Sequence, residues 1–278
     1  MTRLGTQLEH GGGEFNEASL KSTQAALNAI GSRLKNLSRK LKNVDIVATA
    51  AARNAKNPER LIELVKKETG HDLKIISGKE EARLSMKGAA LAAKQNFPTS
   101  KFVFMDIGGA STEVGFIKPT FHAHSFQGGA LKCHEGLGLD TIPVPDVTWG
   151  EAKFSIQKYF PESEFSKLLK DYRPEDYKAV AVGGTLLSAT ELCSPLLQTQ
   201  EGSLVSLSEM EKLSENVRIK SIRSRKAMVN MDSNRADIMP AGILVLTSCL
   251  RRLGQEEVFV TSWGLRHGLV AAYLEKLA

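Results

Sequence analysis

The sequence predicts an α/β protein of two domains, each built on a mixed sheet flanked by helices. Three observations carry that expectation. The chain has 278 residues, longer than one hydrophobic core usually serves. Apolar strand-like runs alternate with helical patterns over the first third, as parallel or mixed sheets require. Near Pro98 the alternation gives way to three successive strands, and strand–helix units then resume. The expected domains are therefore residues 1–98 and 99–278.

The elements follow in order. Apolar residues at Leu20, Leu27, Ile30, Leu34, Leu37 and Leu41 keep helical spacing, with Asn16 placed to cap the start. "VDIVATA" reads as a buried strand. In "NPERLIELVKKETG", Asn57 is the expected cap, Pro58 suits the first turn and Gly70 ends the helix. "LKIIS" is a strand and "KEEARLSMKGAALAAK" a helix that closes before Pro98. "KFVFMD", "STEVGFI" and "FHAHSFQ" form a meander. Helical stretches around 149–171, the strand "AVAV", a helix from Leu186 and two polar helices between 206 and 229 come next. "RADIMPAGILVLTSCLRRLG" is a largely buried helix, "EVFVT" a strand and "GLRHGLVAAYLEKL" a closing helix.

Composition narrows the partners. A formal net charge of +6, from scattered rather than clustered Lys and Arg, favours an anionic ligand: nucleic acid, nucleotide or polyphosphate. Aromatic residues do not interleave with the basic ones, which argues against a nucleic-acid binder. Cys133, Cys193 and Cys249 lack metal-ligand spacing and read as apolar fillers. No apolar run is long enough to span a bilayer, so no membrane partner and a cytoplasmic location are expected.

Four glycine punctuations follow apolar strands: "DIGGAST" at 106, "FQGGAL" at 126, "AVGGTLL" at 181 and "TSWGLRHG" at 261. Glycine there lets backbone amides approach phosphate oxygens, and a following helix N-terminus adds a field that favours anions. Each taken alone is also what a plain turn needs. Asp106 and Glu113 sharpen the case. Two carboxylates at the mouth of one turn would repel phosphate unless a hard divalent cation, Mg²⁺, stood between them. The other reading of Glu113 is a solvent-facing residue on an edge strand.

On these residues the chain resembles the exopolyphosphatase and guanosine pentaphosphate phosphohydrolase family, within the actin-like phosphotransferase superfamily. "ATAAARNAKN" is similar to its ATSA-x-R-x-A-x-N segment, "IISGKEEARLSMKGA" to its ISG-x-EEAR signature, and "FMDIGGASTEVGF" to its IDIGGGSTE segment. "AVGGTLLSAT", "NRADIMPAGILVL" and "WGLRHGLV" resemble later segments in the same order. The resemblance implies two actin-like (ribonuclease H-like) domains with a cleft between them, and removal of terminal phosphate from polyphosphate or guanosine pentaphosphate with Mg²⁺. It implies Glu81 as general base, while Asp106 and Glu113 remain the expected metal ligands. Gly108, Gly109, Ser111 and Thr112, with Gly183, Gly184 and Thr185, would bind phosphate. Arg53 and Arg266 are the favoured anion contacts, Arg235 is expected to pair with Asp237 or another acid, and Arg83 is expected to meet Glu80 or phosphate.

Departures from the family pattern set further expectations. Its first phosphate loop, Asp-x-Gly-Ser-Asn-Ser, has no counterpart here: the sequence opens at what resembles the "TRLG" that follows it. The expected first domain is thus incomplete, with strand edges that favour pairing into a homodimer, and the terminal helix is expected to pack back on it. Polyanion binding with weak hydrolysis is the expected activity, and a binding or regulatory homologue is the competing reading. Ala110 stands where the family has a third glycine.

Overall fold

The computed structural model describes Leu4, residues 12–37 and residues 44–276, and the chain forms two compact units, Met1–Gly78 and Lys79–Ala278. In the first unit, α1 (Glu17–Leu37) is followed by β1 (Ile46–Ala48), α2 (Ala50–Asn54), α3 (Pro58–Thr69) and β2 (Leu73–Ile75). The two strands pair in parallel. Asn16 caps α1 as expected, its Oδ1 accepting from the Ser19 amide at 2.8 Å. Helix α1 packs closely on α3 at Gly31, where a Cβ would stand 2.0 Å from the Glu68 carbonyl oxygen.

Phe15, Leu20, Ala52, Leu61 and Val65 form the core of this unit. Ile30 and Leu37 continue the helical pattern but are exposed, and Leu41 lies outside the described residues. Asn57 corrects its expected role. It sits at the cap position of α3 without capping it, because its Oδ1 accepts the Phe15 amide (2.8 Å) instead. Gly70 closes the helix in the left-handed region (φ 77°), its amide returning to the Lys66 carbonyl.

The second unit opens with α4 (Gly78–Asn96) and the meander β3 (Lys101–Ile107), β4 (Thr112–Ile117) and β5 (Phe121–Phe126). Then come α5 (Ala130–Gly136), α6 (Asp146–Ser155), α7 (Glu162–Leu168), β6 (Tyr177–Val182), α8 (Gly184–Thr190), β7 (Leu197–Gln198) and β8 (Gly202–Ser206). The chain ends with α9 (Leu207–Arg218), α10 (Ile222–Lys226), α11 (Met239–Arg252), β9 (Glu257–Thr261) and α12 (Leu265–Glu275). The seven strands stand in the order β5-β4-β3-β6-β9-β8-β7. Strands β3, β4 and β5 are antiparallel neighbours, while β6 and β9 run parallel to β3. That core is the ribonuclease H-like arrangement of the actin-like fold. The antiparallel pair β7 and β8, absent from the sequence expectation, extends it beyond β9.

Alternation divides the sheet into two buried faces. Val103, Met105 and Ile107 of β3 join the large core with α11. Phe102 and Phe104 face the other way and pack with Met86, Ala89, Ala92 and Ala93 of α4. This contact corrects the expected boundary at 98. Helix α4 buries its apolar face on the second sheet, so the units divide at 78/79. Helix α12 also packs on α4, and a Cβ at Gly268 would come within 1.8 Å of the Leu84 carbonyl oxygen.

Because that oxygen belongs to backbone and cannot swing aside, Gly268→Ala is expected to destabilise the protein by about 2–3 kcal/mol in denaturant melts. Gly150→Ala is the control. It lies on exposed helix with nothing within 4 Å of its Cβ position, so a change between zero and about 1 kcal/mol of added stability is expected.

Candidate functional site

The register of the meander explains the acid at the end of an apolar strand. Asp106 lies directly opposite Glu113 across β3 and β4, and Glu113 lies opposite Ser125 on β5. Directly opposed residues project from the same face of a sheet, so the three polar side chains form one row. In β3 this face reads Phe102, Phe104, Asp106: the acid ends the row that packs under α4. Glu113 is buried, which excludes the solvent-facing edge reading.

Helix α4 adds the third carboxylate and a hydroxyl. Glu81 lies in its first turn and is buried, as is Ser85. Four residues apart, they share one face of the helix. Ser85 Oγ donates to Asp106 Oδ2. Glu113 Oε1 accepts from Ser111 Oγ at 2.9 Å and from Ser125 Oγ at 2.7 Å. Three hydroxyls thus converge on two carboxylates.

The electrostatics are those of crowded acids. Burial pushes Asp106 up to about 6, with the Glu81 charge adding to the effect and the Ser85 hydrogen bond opposing it. Glu113 is also raised, first by burial and then by Glu81 and Asp106. Glu80, beside Glu81, has a different fate: Arg83 grips it through two hydrogen bonds of 2.9 and 2.8 Å.

All four glycine punctuations gather at one edge of the sheet. Ile107, Thr112 and Phe126 are level with one another, and Val182 and Thr261 end the neighbouring parallel strands. Gly183, at φ 149°, lies so near β3 that a Cβ would meet the Ile107 carbonyl oxygen at 2.7 Å. Gly264 rests on Val182. Gly129 backs the first turn, where a Cβ would come within 2.4–2.6 Å of the Gly109–Ala110 peptide. In open α/β sheets the carboxyl ends of parallel strands are where ligands bind.

The candidate phosphate groups divide by what they already hold. The Gly108 amide donates to the Ser111 carbonyl (3.0 Å), closing the turn. The amides of Gly109 and Ala110 have no backbone partner among the described residues. Thr112 is fully buried and its hydroxyl donates to the Gly128 carbonyl at 2.5 Å, a structural bond. Gly184 and Thr185 begin α8. Arg235 lies on Gly184, with its guanidinium 2.2–2.3 Å from a Cβ placed there, and pairs with Asp232 at 3.4 Å. Arg266 is exposed in the first turn of α12 and has no ion pair among the described residues. Arg53 belongs to the first unit, where its guanidinium donates to the Ile76 carbonyl (2.9 Å).

Among the described residues no group of three or more His, Cys, Asp or Glu side chains is arranged to hold a metal ion. Asp106 and Glu113 still suit a hard cation. Mg²⁺ takes one or two carboxylates and completes its shell with phosphate oxygens and water, and among the described residues Asp106 and Glu113 are bonded by serine hydroxyls and by no Lys or Arg. Ser85 and Ser125 were not singled out in the sequence. Ser85 is recoverable from its helical spacing to Glu81, whereas the position of Ser125 depends on the hairpin register.

A glycine-rimmed, acid-lined strand edge on a ribonuclease H-like sheet places the chain in the class of the actin-like fold. The model of the Ppx/GppA phosphatase family matches residues 1–277, and the chain belongs to that family. It is 24% identical over 243 residues to a guanosine-5'-triphosphate,3'-diphosphate pyrophosphatase of Aeromonas hydrophila, covering 84% of this chain and 45% of that protein. The chain spans about half the length of the curated relatives it matches. Among solved structures, an Aquifex aeolicus Ppx/GppA family member is 25% identical, with a TM-score of 0.75 over 99% of this chain and 87% of its own. An exopolyphosphatase from Cytophaga hutchinsonii is 22% identical, with a TM-score of 0.81 over 95% and 84%. No helix among the described residues is long and apolar enough to cross a membrane.

The crowded acids set a pH dependence. An acid whose folded pKa exceeds its unfolded value binds protons more tightly when folded. Its favourable contribution is complete below the unfolded value of 3.8 and is lost as pH rises through about 6 for Asp106. Measured in chelator, wild-type stability is expected to fall from pH 4 to pH 8, by on the order of 2 kcal/mol from Asp106 alone. Asp106→Asn should flatten that fall and melt higher than wild type at pH 8. A parallel pH profile in the variant would show that the carboxylates are not in conflict.

Proposed function

We propose that the chain is a phosphoanhydride hydrolase that releases the terminal phosphate of inorganic polyphosphate or guanosine pentaphosphate, with Glu81 as general base and Mg²⁺ held by Asp106 and Glu113. The observation that carries this reading is the convergence of the three carboxylates beside the glycine turns. Family membership and the relatives' names support the substrate class.

In this mechanism Glu81 accepts a proton from the attacking water as its oxygen bonds to the terminal phosphorus and the bridging P–O bond breaks, the rest of the substrate leaving with the bridging oxygen. Its burial keeps the carboxylate oriented on the rigid face of α4. The Gly109 and Ala110 amides, and the N-terminus of α8 at Gly184 and Thr185, donate to phosphate oxygens whose charge grows in the transition state. Mg²⁺, when bound, supplies neutralising charge between carboxylates and phosphate. Ser85, Ser111 and Ser125 hold the acids in position. Arg266, exposed at the same edge, is an additional cation for a polyanion.

Glu81→Gln is expected to reduce phosphate release with Mg²⁺ by 10²-fold or more, while polyphosphate binding stays within about threefold. Asp106→Asn should instead raise the Mg²⁺ concentration needed for half-maximal rate. Comparing kcat/KM for polyphosphate and guanosine pentaphosphate then identifies the preferred substrate. Anion binding without release above the Glu81→Gln background would replace hydrolysis with the regulatory-homologue reading.

A further inference from the structure

Helices α6, α9 and α11 enclose a second concavity of about 600 Å³, lined by Trp149, Lys153, Lys212, Ser214, Glu215 and Ser248 among others. Its size lies within the range of small-molecule sites, about 300–1,000 Å³. None of the acids or glycine turns described above lines it.

The charges in this groove are unequally satisfied. Glu215 accepts from Trp149 Nε1 (2.8 Å), Lys153 Nζ (3.0 Å) and Arg218 Nε (2.5 Å). Those donors hold its carboxyl well below the usual range, at about 2, against the opposing effect of burial. Glu211 pairs with Arg251 at 2.7 Å. Lys212 is exposed and has no ion pair among the described residues. Deeper in, Ser214 is only 4% exposed, and its Oγ has no hydrogen-bond partner among the described residues. A buried hydroxyl without a partner carries a desolvation cost that a ligand oxygen would relieve.

We propose that this groove is a binding site for a small phosphorylated polyol, its phosphate at Lys212 on the rim and its hydroxyls against Ser214 and Ser248 inside. A purely apolar ligand would leave Ser214 unsatisfied. A doubly charged cation would meet only carboxylates already saturated by Lys and Arg. An anion with a hydroxylated body answers both the surplus ammonium and the orphaned hydroxyl.

Trp149 provides a readout that does not depend on hydrolysis. The chain has two tryptophans, so in a Trp263→Phe background fluorescence reports on the groove alone. Ribose 5-phosphate is the probe, with ribose and inorganic phosphate as controls. A saturable change below about 1 mM is expected, weakened tenfold or more by Lys212→Glu and at least threefold by Ser214→Ala. Asp106→Asn should leave it within twofold. Lys212 is on the surface, so loss of binding in that variant cannot be ascribed to unfolding. The proposal is overturned if ribose 5-phosphate gives no saturable signal, if either control matches it, if the groove variants bind as tightly as wild type, or if binding disappears with Asp106→Asn.

Discussion

Asp106 and Glu113 are opposed across an antiparallel pair and turned toward the same helix, so two like charges share a buried environment. Much of the surrounding structure answers that repulsion. Ser85, Ser111 and Ser125 each donate to one of the acids, and they come from α4, the first glycine turn and β5. Hydrogen bonds to ionised groups are stronger than neutral ones, yet here they only partly offset desolvation, since both acids remain raised. Folded proteins tolerate such conflict chiefly where chemistry requires the charges.

Holding the acids together demands close approach of backbone on several sides. Gly115 lets Met86 of α4 lie against β4, where a Cβ would be 2.3 Å from the methionine methyl and 2.4 Å from the His122 carbonyl oxygen. Gly268 does the same for α12 on α4. Gly129 supports the turn that carries the Gly109 and Ala110 amides. Gly115 is the one of these that lets α4 come down onto the sheet, and α4 carries Glu81 and Ser85 to the side of Asp106.

Away from that edge, another polar group is completely enclosed. Arg225 is fully buried, and its guanidinium donates to the carbonyls of Val217, Arg218, Ala236 and Asp237. Burial lowers its pKa to about 10, so it remains charged at neutral pH. It ties the last turn of α9 to the segment that leads into α11. Those two helices also form walls of the second groove, so the groove stands on a rigid frame rather than on loops.

The amino-acid sequence by itself determined the α/β class, the meander, most helices and the list of chemical groups. Each of these follows from local period or punctuation: alternation in "KFVFMD", helical spacing around Ser85, glycine after an apolar strand. It also carried the family, because "KEEAR" and "DIGGAST" are short motifs whose order survives in the chain. Local pattern could not place α4, whose apolar face would suit either neighbouring sheet; packing on Phe102 and Phe104 decided that. Nor could it find β7, β8 or the cross-sheet bond from Ser125 to Glu113. Such pairings join residues distant in sequence, and a one-residue slip would reverse the face of every side chain. Only the tertiary register turned Asp106, Glu113 and Ser125 into one row, and only the packing of α4 set Glu81 and Ser85 beside it.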